Sequence, residues 1–395
     1  MKEIKETSAD MLLGLRKFLA PEIVYGEGAL DLAGRHAFNL GATHVLIVTD
    51  PGVRAAGWVS NVENSLSEMD ISYTTFDDVT ANPKDYEVME GVKVYNGNGC
   101  DLIIAVGGGS PMDCAKGIGV VAGNPGNILE FEGVDEIPNP GPPLIFIPTT
   151  AGTSADVSQF AIITDTGRKV KIAIISKMVI PDIALVDPRT TVSMSPELTA
   201  ATGMDALCHA FESFASTASS PLTDMAALSA VRLIKDNLIG AYEKPNDMKY
   251  RNNMMMASLM AGLAFSNASL GLVHAMAHSL GGALGLAHGE CNAILLEEVV
   301  RYNYQSAEHK YDQLLEMMMG NIGGQNISTK ASLLSDHIAI LRKKLGITQR
   351  LSDMGVSFSD ISRLAEFAVK DPCLATNPRQ SVQSDVEMIY RRIYN

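Results

Sequence analysis

The chain has 395 residues, 46% of them hydrophobic and 19% charged, a globular balance rather than a disordered one and enough length for two domains. With 31 basic and 45 acidic residues the formal net charge is −14, which repels phosphate backbones and anionic lipid and so argues against nucleic acid or membrane as partners. Cys100, Cys114, Cys208, Cys291 and Cys373 are scattered, odd in number and without a C-x-x-C pair, which argues against a disulfide framework or a structural zinc knuckle.

From the N-terminus, the apolar patch Met11 to Leu15 is too short for a signal-peptide core, and no stretch approaches membrane-span length. A cytoplasmic protein is expected. The first half then alternates short apolar runs with helical patterns. Val45 to Thr49, Ile71 to Phe76, Leu102 to Val106, Leu144 to Ile147 and Ile183 to Val186 read as strands. Tyr86 to Asn96 and Pro111 to Val121 read as helices between them. Phe160 to Ile175 reads as a hairpin turning at Thr164-Asp165-Thr166-Gly167. Pro138 to Pro143 is a loop. From Ser195-Pro196-Glu197, a capped helix start, strand signals fade and helical stretches dominate. Met254 to Met260 is core filler at helical spacing. The expected architecture is an α/β domain over residues 1–190, with a mostly parallel dinucleotide-binding sheet, and an all-helical domain over 191–395.

Two turns and one cluster carry chemistry. Gly107-Gly108-Gly109-Ser110 joins a strand to a helix, where glycines admit a phosphate close to the backbone and the helix N-terminus supplies free N–H groups. Pro148-Thr149-Thr150-Ala151-Gly152-Thr153-Ser154 is a second polar turn after another strand, so both face the crevice where open α/β sheets bind ligands. Met112 occupies the third-glycine position of the usual G-x-G-x-x-G fingerprint. Of the 8 histidines, four, His209, His274, His278 and His288, fall between residues 209 and 288. Asp205 and His209 are four apart on one helical face, as are His274 and His278, and His288 follows beside Gly289. One carboxylate with three imidazoles suits a divalent transition metal that keeps an open position. His36, His44, His309 and His337 read as ordinary core or surface residues. A metal beside a nucleotide crevice suits alcohol oxidation: the metal acidifies the alcohol, and the nicotinamide takes the hydride.

These motifs resemble the iron-dependent (group III) alcohol dehydrogenases, which include lactaldehyde reductases and 1,3-propanediol dehydrogenases. The resemblance runs from about Phe18 to the C-terminus. It is carried by GGGSPMDCAK at 107–116, PTTAGTS at 148–154, GMDALCHAFE at 203–212 and GLVHAMAHSLGGALGLAHG at 271–289. It implies NAD and Fe2+ as cofactors, with Zn2+ the other metal open to an N/O donor set, a small alcohol or aldehyde substrate, and a homodimer or larger homo-oligomer. It implies Asp205, His209, His274 and His288 as metal ligands, with His278 beside substrate and nicotinamide as proton relay or pocket wall. It places Gly107, Gly108, Gly109, Ser110 and Asp113 at the cofactor turn, with Thr149, Thr150 and Thr153 nearby. Asn82 is implied near the adenosine, Lys171 against the cofactor, and Asp50 at the adenosine ribose, favouring NAD over NADP. Ala287, Ala155-Asp156 and Glu297 depart from the family pattern without removing a ligand. A competing class is a lyase resembling dehydroquinate synthase, with related fold, NAD and a metal. Its anionic substrate needs basic residues, and between 203 and 289 only Arg232, Lys235, Lys244, Lys249 and Arg251 are basic, all away from the motifs.

Overall fold

The computed structural model describes residues 16–395; the Met11 to Leu15 patch lies outside the described residues. The strands are Glu22–Tyr25 (β1), His44–Val48 (β2), Ser72–Phe76 (β3), Leu102–Gly107 (β4), Gly133–Val134 (β5), Leu144–Pro148 (β6), Phe160–Asp165 (β7), Val170–Ile175 (β8) and Ile183–Val186 (β9). Six of them form one sheet in the order β1-β9-β6-β4-β2-β3, parallel throughout. The other three form a small sheet, β5-β8-β7.

Between the strands of the first half run helices Ala33–Asn39 (α1), Pro51–Ala55 (α2), Trp58–Ser67 (α3), Asp85–Gly97 (α4) and Gly109–Gly123 (α5). They cover the sheet on both faces, so its central strands are apolar at every position. Leu46, Val48, Ile103, Ala105, Leu144 and Phe146 pack with α4 and α5, while Val45, Ile47, Leu102, Ile104, Ile145 and Ile147 pack with α1 and α3. Alternate side chains of one strand thus serve two separate cores.

After β9 the chain is helical: Pro196–Ala215 (α6), Pro221–Glu243 (α7), Met248–Ala268 (α8), Leu272–Leu284 (α9), His288–Asn303 (α10), Glu308–Met319 (α11), Ile327–Lys344 (α12), Ile361–Ala368 (α13) and Gln383–Arg392 (α14). Helix α6 starts as its sequence dictates, with Ser195 Oγ accepting from Leu198 N at 3.1 Å and Pro196 in the first turn. It runs through the middle of the helical core, and all but a few of its side chains are buried. Met254 and Met255 fill that core from α8. Among the described residues no single helix is long and apolar enough to cross a membrane, and all five cysteines are buried free thiols.

Two details differ from the sequence expectation. The hairpin turns at Thr166–Lys169, two residues later than expected, because Thr164 and Asp165 still pair with Lys171 and Val170. The left-handed position is Lys169 (φ 56°) rather than Gly167, and Asp165 fixes the turn by accepting from Arg168 N at 2.8 Å. Edge strand β1 escaped notice because it is four residues long and only partly buried, leaving little hydrophobic pattern to read.

Where the two halves meet, glycine permits the contact. A Cβ on Gly152, in the loop after β6, would stand 2.5 Å from the Thr202 carbonyl oxygen of α6. One on Gly262 of α8 would stand 2.4 Å from Ser154 Cβ of the same loop. The loop is therefore wedged between α6 and α8 at backbone distance. Gly152→Ala is expected to destabilise the protein by about 1–3 kcal/mol through overpacking, seen as a lower urea midpoint; an unchanged midpoint would contradict the close approach.

Candidate active site

Three loops leave the C-terminal ends of adjacent parallel strands: Asp50 after β2, Gly108–Ser110 after β4, and Thr149–Thr153 after β6. They line one crevice of about 780 Å³, with Ala81, Met194 and Thr202 among its other walls. The two glycines bring the loops together. A Cβ on Gly108 would press on Thr150 at 3.2 Å, and one on Gly109 on Thr153 at 3.1 Å. Helix α5 begins at Gly109, so its unpaired N–H groups face the crevice. The Thr150 hydroxyl is buried without a hydrogen-bond partner, which costs free energy unless a ligand supplies one. Asp50 caps α2, one carboxylate oxygen accepting from Val53 N at 3.0 Å. Gly107 ends β4 beneath the crevice, where a Cβ would stand 2.6 Å from Pro111.

Ser110 and Thr153 also line a smaller cavity of about 160 Å³, with Asp205, His209, His274, His278 and His288 on its far side. Three residues expected along the cofactor, Asn82, Asp113 and Lys171, belong to this cavity and not to the crevice. Asn82 (φ 56°) follows the crevice wall by one residue, and its N–H donates to Ser110 Oγ at 3.2 Å. The buried Asp113 carboxylate accepts from Ile162 N and faces Lys116 and Lys171. Burial pushes Asp113 up to about 6 and Lys116 down to about 8, each opposed by the other's charge. Lys116 spends its three protons on Ser158 O (2.8 Å), Ser158 Oγ (3.0 Å) and Phe160 O (2.7 Å), tying α5 to the start of the hairpin. Lys171 is the one Lys or Arg among the residues lining the smaller cavity. It lies along α9, where Gly281 leaves it room; a Cβ there would stand 3.0 Å from its Nζ.

The donors converge across elements. Asp205 and His209 come from α6, His274 from α9 and His288 from the first turn of α10. The Nε2 atoms of His209, His274 and His288 lie 3.8, 3.7 and 3.8 Å from Asp205 Oδ1. Asp205, His209 and His274 bring their donor atoms within 4.8 Å of one another, a spacing that one divalent ion can bridge, and His288 Nε2 adjoins the same carboxylate oxygen. Burial favours the neutral acid, but the three imidazoles outweigh it and hold Asp205 far below the usual carboxylate range. Burial pushes His209 down to about 4 and His288 well below its ordinary value. Burial also works against protonated His274, yet hydrogen bonds and charge from Asp205 and Glu212 raise it to about 9. His278, on α9, stacks at 5.3 Å on the His288 ring, with Nδ1 held 2.8 Å from Asp371 Oδ2.

Three contributors were missed from sequence. Glu212 Oε2 lies 2.6 Å from His274 Nδ1, while Glu212 Oε1 accepts from Val273 N at 2.6 Å, capping α9. Its signal was available, because Glu212 stands seven residues after Asp205 on the same helical face. Asn292, four residues after His288, places Nδ2 2.6 Å from Asp205 Oδ1 and 3.1 Å from Nε2 of both His274 and His288. Asp371 carried no local signal. Ala287, standing before the histidine, has φ −64°, the angle proline would impose, so that departure leaves the backbone unchanged.

A dinucleotide-type crevice opening onto a buried metal-type donor set is the arrangement of a metal-dependent dehydrogenase. The family profile described as iron-containing alcohol dehydrogenase matches residues 20–188, and that of the C-terminal part of the same family matches 199–394. The chain is similar to the 1,3-propanediol dehydrogenase of Citrobacter freundii, at 41% identity over 95% of this chain and 98% of that protein. It is similar to the NAD-dependent methanol dehydrogenase of Bacillus methanolicus, at 37% over 95% and 98%. A crystal structure of 1,3-propanediol oxidoreductase superimposes with a TM-score of 0.93, at 40% identity over 96% of this chain and 100% of that one. The chain belongs to the iron-containing alcohol dehydrogenase family and is an oxidoreductase of alcohols and aldehydes.

Glu212 generates a prediction. In the metal-free chain His274 keeps its proton up to about pH 9, so a divalent ion must displace it, and apparent affinity should rise with pH towards that value. Glu212→Gln removes the charge that orients and polarises His274. It is expected to weaken zinc binding by about 10- to 100-fold in competition with a chelating dye; equal affinity would refute the role.

Proposed function

We propose that Asp205, His209, His274 and His288 hold the iron of this dehydrogenase, and that the crevice between the two glycine- and threonine-rich loops holds NAD. The observation that carries the reading is the set of three imidazole nitrogens within 3.8 Å of one carboxylate oxygen. An all-N/O set accepts ferrous ion and zinc alike. When bound, the metal supplies Lewis acidity that lowers the pKa of an alcohol, and NAD supplies the hydride acceptor. The protein does the rest by placement. The α5 N-terminus and the Thr150 hydroxyl bind the pyrophosphate. Asp50 accepts from the adenosine ribose hydroxyls and repels a 2′-phosphate. Lys171, buried against α9, contacts the cofactor from the hairpin. Burial of the donor set excludes water from the reacting atoms.

His278 is proposed to carry the alcohol proton outward. Asp371 holds Nδ1, which leaves Nε2 as the nitrogen free to exchange a proton in the cavity. We further propose two domains, 1–190 and 191–395, since the strands end at Val186 and α6 begins at Pro196. A homodimer or larger homo-oligomer and a cytoplasmic site belong to the same reading, which the buried free thiols suit. The lyase alternative finds no support in the cavity. Its lining holds no Lys or Arg but Lys171, and Arg251 is spent on Pro245 O, Thr199 Oγ1 and Met194 O.

The test is NAD reduction by small primary alcohols on stripped and reloaded protein. Activity should vanish on chelation and return with ferrous ion more fully than with zinc; full activity in protein that elemental analysis shows to be metal-free would refute the reading. Two variants sharpen it. Asp50→Gly should raise the NADP-to-NAD ratio of kcat/KM, and an unchanged ratio would remove Asp50 from the ribose. His278→Ala should keep its metal but lose turnover; loss of metal would make it a ligand.

A further inference from the structure

The wall of the smaller cavity beside His209 differs from the rest. Phe160, Phe265, Leu270 and Cys373 form, with Ala275, a small apolar cluster separate from the three large cores, and these first four line the cavity. Phe265 stacks on the His209 ring at 4.3 Å between centroids, and Phe160 tilts against Phe265 at 5.8 Å. The wall therefore starts at the donor set and runs away from it. Its one neighbouring hydroxyl, Ser158 Oγ, accepts from Lys116 at 3.0 Å and donates to the Phe160 carbonyl at 3.4 Å. The same ammonium binds the Phe160 carbonyl at 2.7 Å and so holds that residue in place. Apart from the donor set, the other polar lining groups are Ser110 and Thr153 at the cofactor turn, Asn82 and Asp113 near it, Lys171 on the hairpin, and His278 on the His288 side.

Resting on the dehydrogenase reading, we infer that this chain takes unbranched monohydric primary alcohols in preference to 1,3-diols, and that Phe160 sets the preference. An alcohol oxygen at the donor set sends its carbon chain along the aromatic wall. A methyl end is buried there at no polar cost. A second hydroxyl at the same place gives up its water and meets ring and alkyl surface and the Cys373 thiol, a weak hydrogen-bonding group, which is unfavourable. An apolar pocket rejects an added hydroxyl only moderately, so the discrimination falls at about 10- to 100-fold.

The experiment compares kcat/KM for 1-propanol and 1,3-propanediol with NAD on the iron-loaded enzyme, since the two differ by the terminal hydroxyl alone. The expected ratio favours 1-propanol by at least about tenfold. Phe160→Asn, which puts an amide on the wall, should lower that ratio by about tenfold, whereas Phe160→Leu, which keeps the wall apolar, should still favour 1-propanol. A ratio of one or less in the unsubstituted enzyme overturns the inference whether or not the asparagine variant folds. So does a folded Phe160→Asn enzyme with the ratio unchanged. Failure to oxidise either alcohol would overturn the dehydrogenase reading itself, which separates the two failures.

Discussion

A single buried carboxylate joins the parts of this active site. Glu212 sits two turns after Asp205 on α6, and it accepts both a backbone N–H at the start of α9 and the Nδ1 proton of His274. The first contact satisfies a helix terminus that would otherwise be buried unpaired; the second fixes the tautomer that leaves His274 Nε2 free toward the donor set. One residue thus sets the position of α9 relative to α6 and the chemical state of a donor at their crossing. Helix α6 can carry two carboxylates through an apolar core because both are answered. Asp205 faces imidazoles and Glu212 caps a neighbour, while His209 lies stacked on Phe265. Left unanswered, such groups would cost more than a well-packed apolar helix gains.

The sheet makes the other half of the site by a different device. Strands β2, β4 and β6 are adjacent and parallel, so the loops that follow them open at one edge. Gly152 allows an approach that a Cβ would block, and Gly108 and Gly109 allow contacts that a Cβ would crowd. The loop after β6 then lies against α6 and α8, the helices that bear or support the donor set. Packing of this closeness transmits position: the cofactor turn and the metal donors cannot move apart without opening it.

Much of this was legible in the sequence, and the boundary between what was and was not has a physical cause. The central strands read cleanly because burial on both faces makes them uniformly apolar. The helical half read from its spacing, and two pairs at i,i+4 brought Asp205, His209, His274 and His278 to their faces. What escaped depends on long-range geometry. Asp371 reaches His278 across 93 residues with nothing local to mark it. Asp113 faces Lys171 of the hairpin, a pairing that no local pattern marks. The hairpin turn moved because cross-strand pairing, not the glycine, chose the register. Glu212 and Asn292 were within reach of the helical-face argument that located their neighbours; both lie on the donor-bearing faces.

The central claim is that one carboxylate and three imidazoles from three helices hold a single iron ion. X-ray absorption at the iron edge of the ferrous-loaded protein tests it most directly. The account predicts N/O scatterers only, at about 2.1 Å, with the outer-ring scattering of about three imidazoles and no sulfur. A sulfur neighbour, which would bring in Cys373 or Cys291, or scattering from a single imidazole, would contradict it.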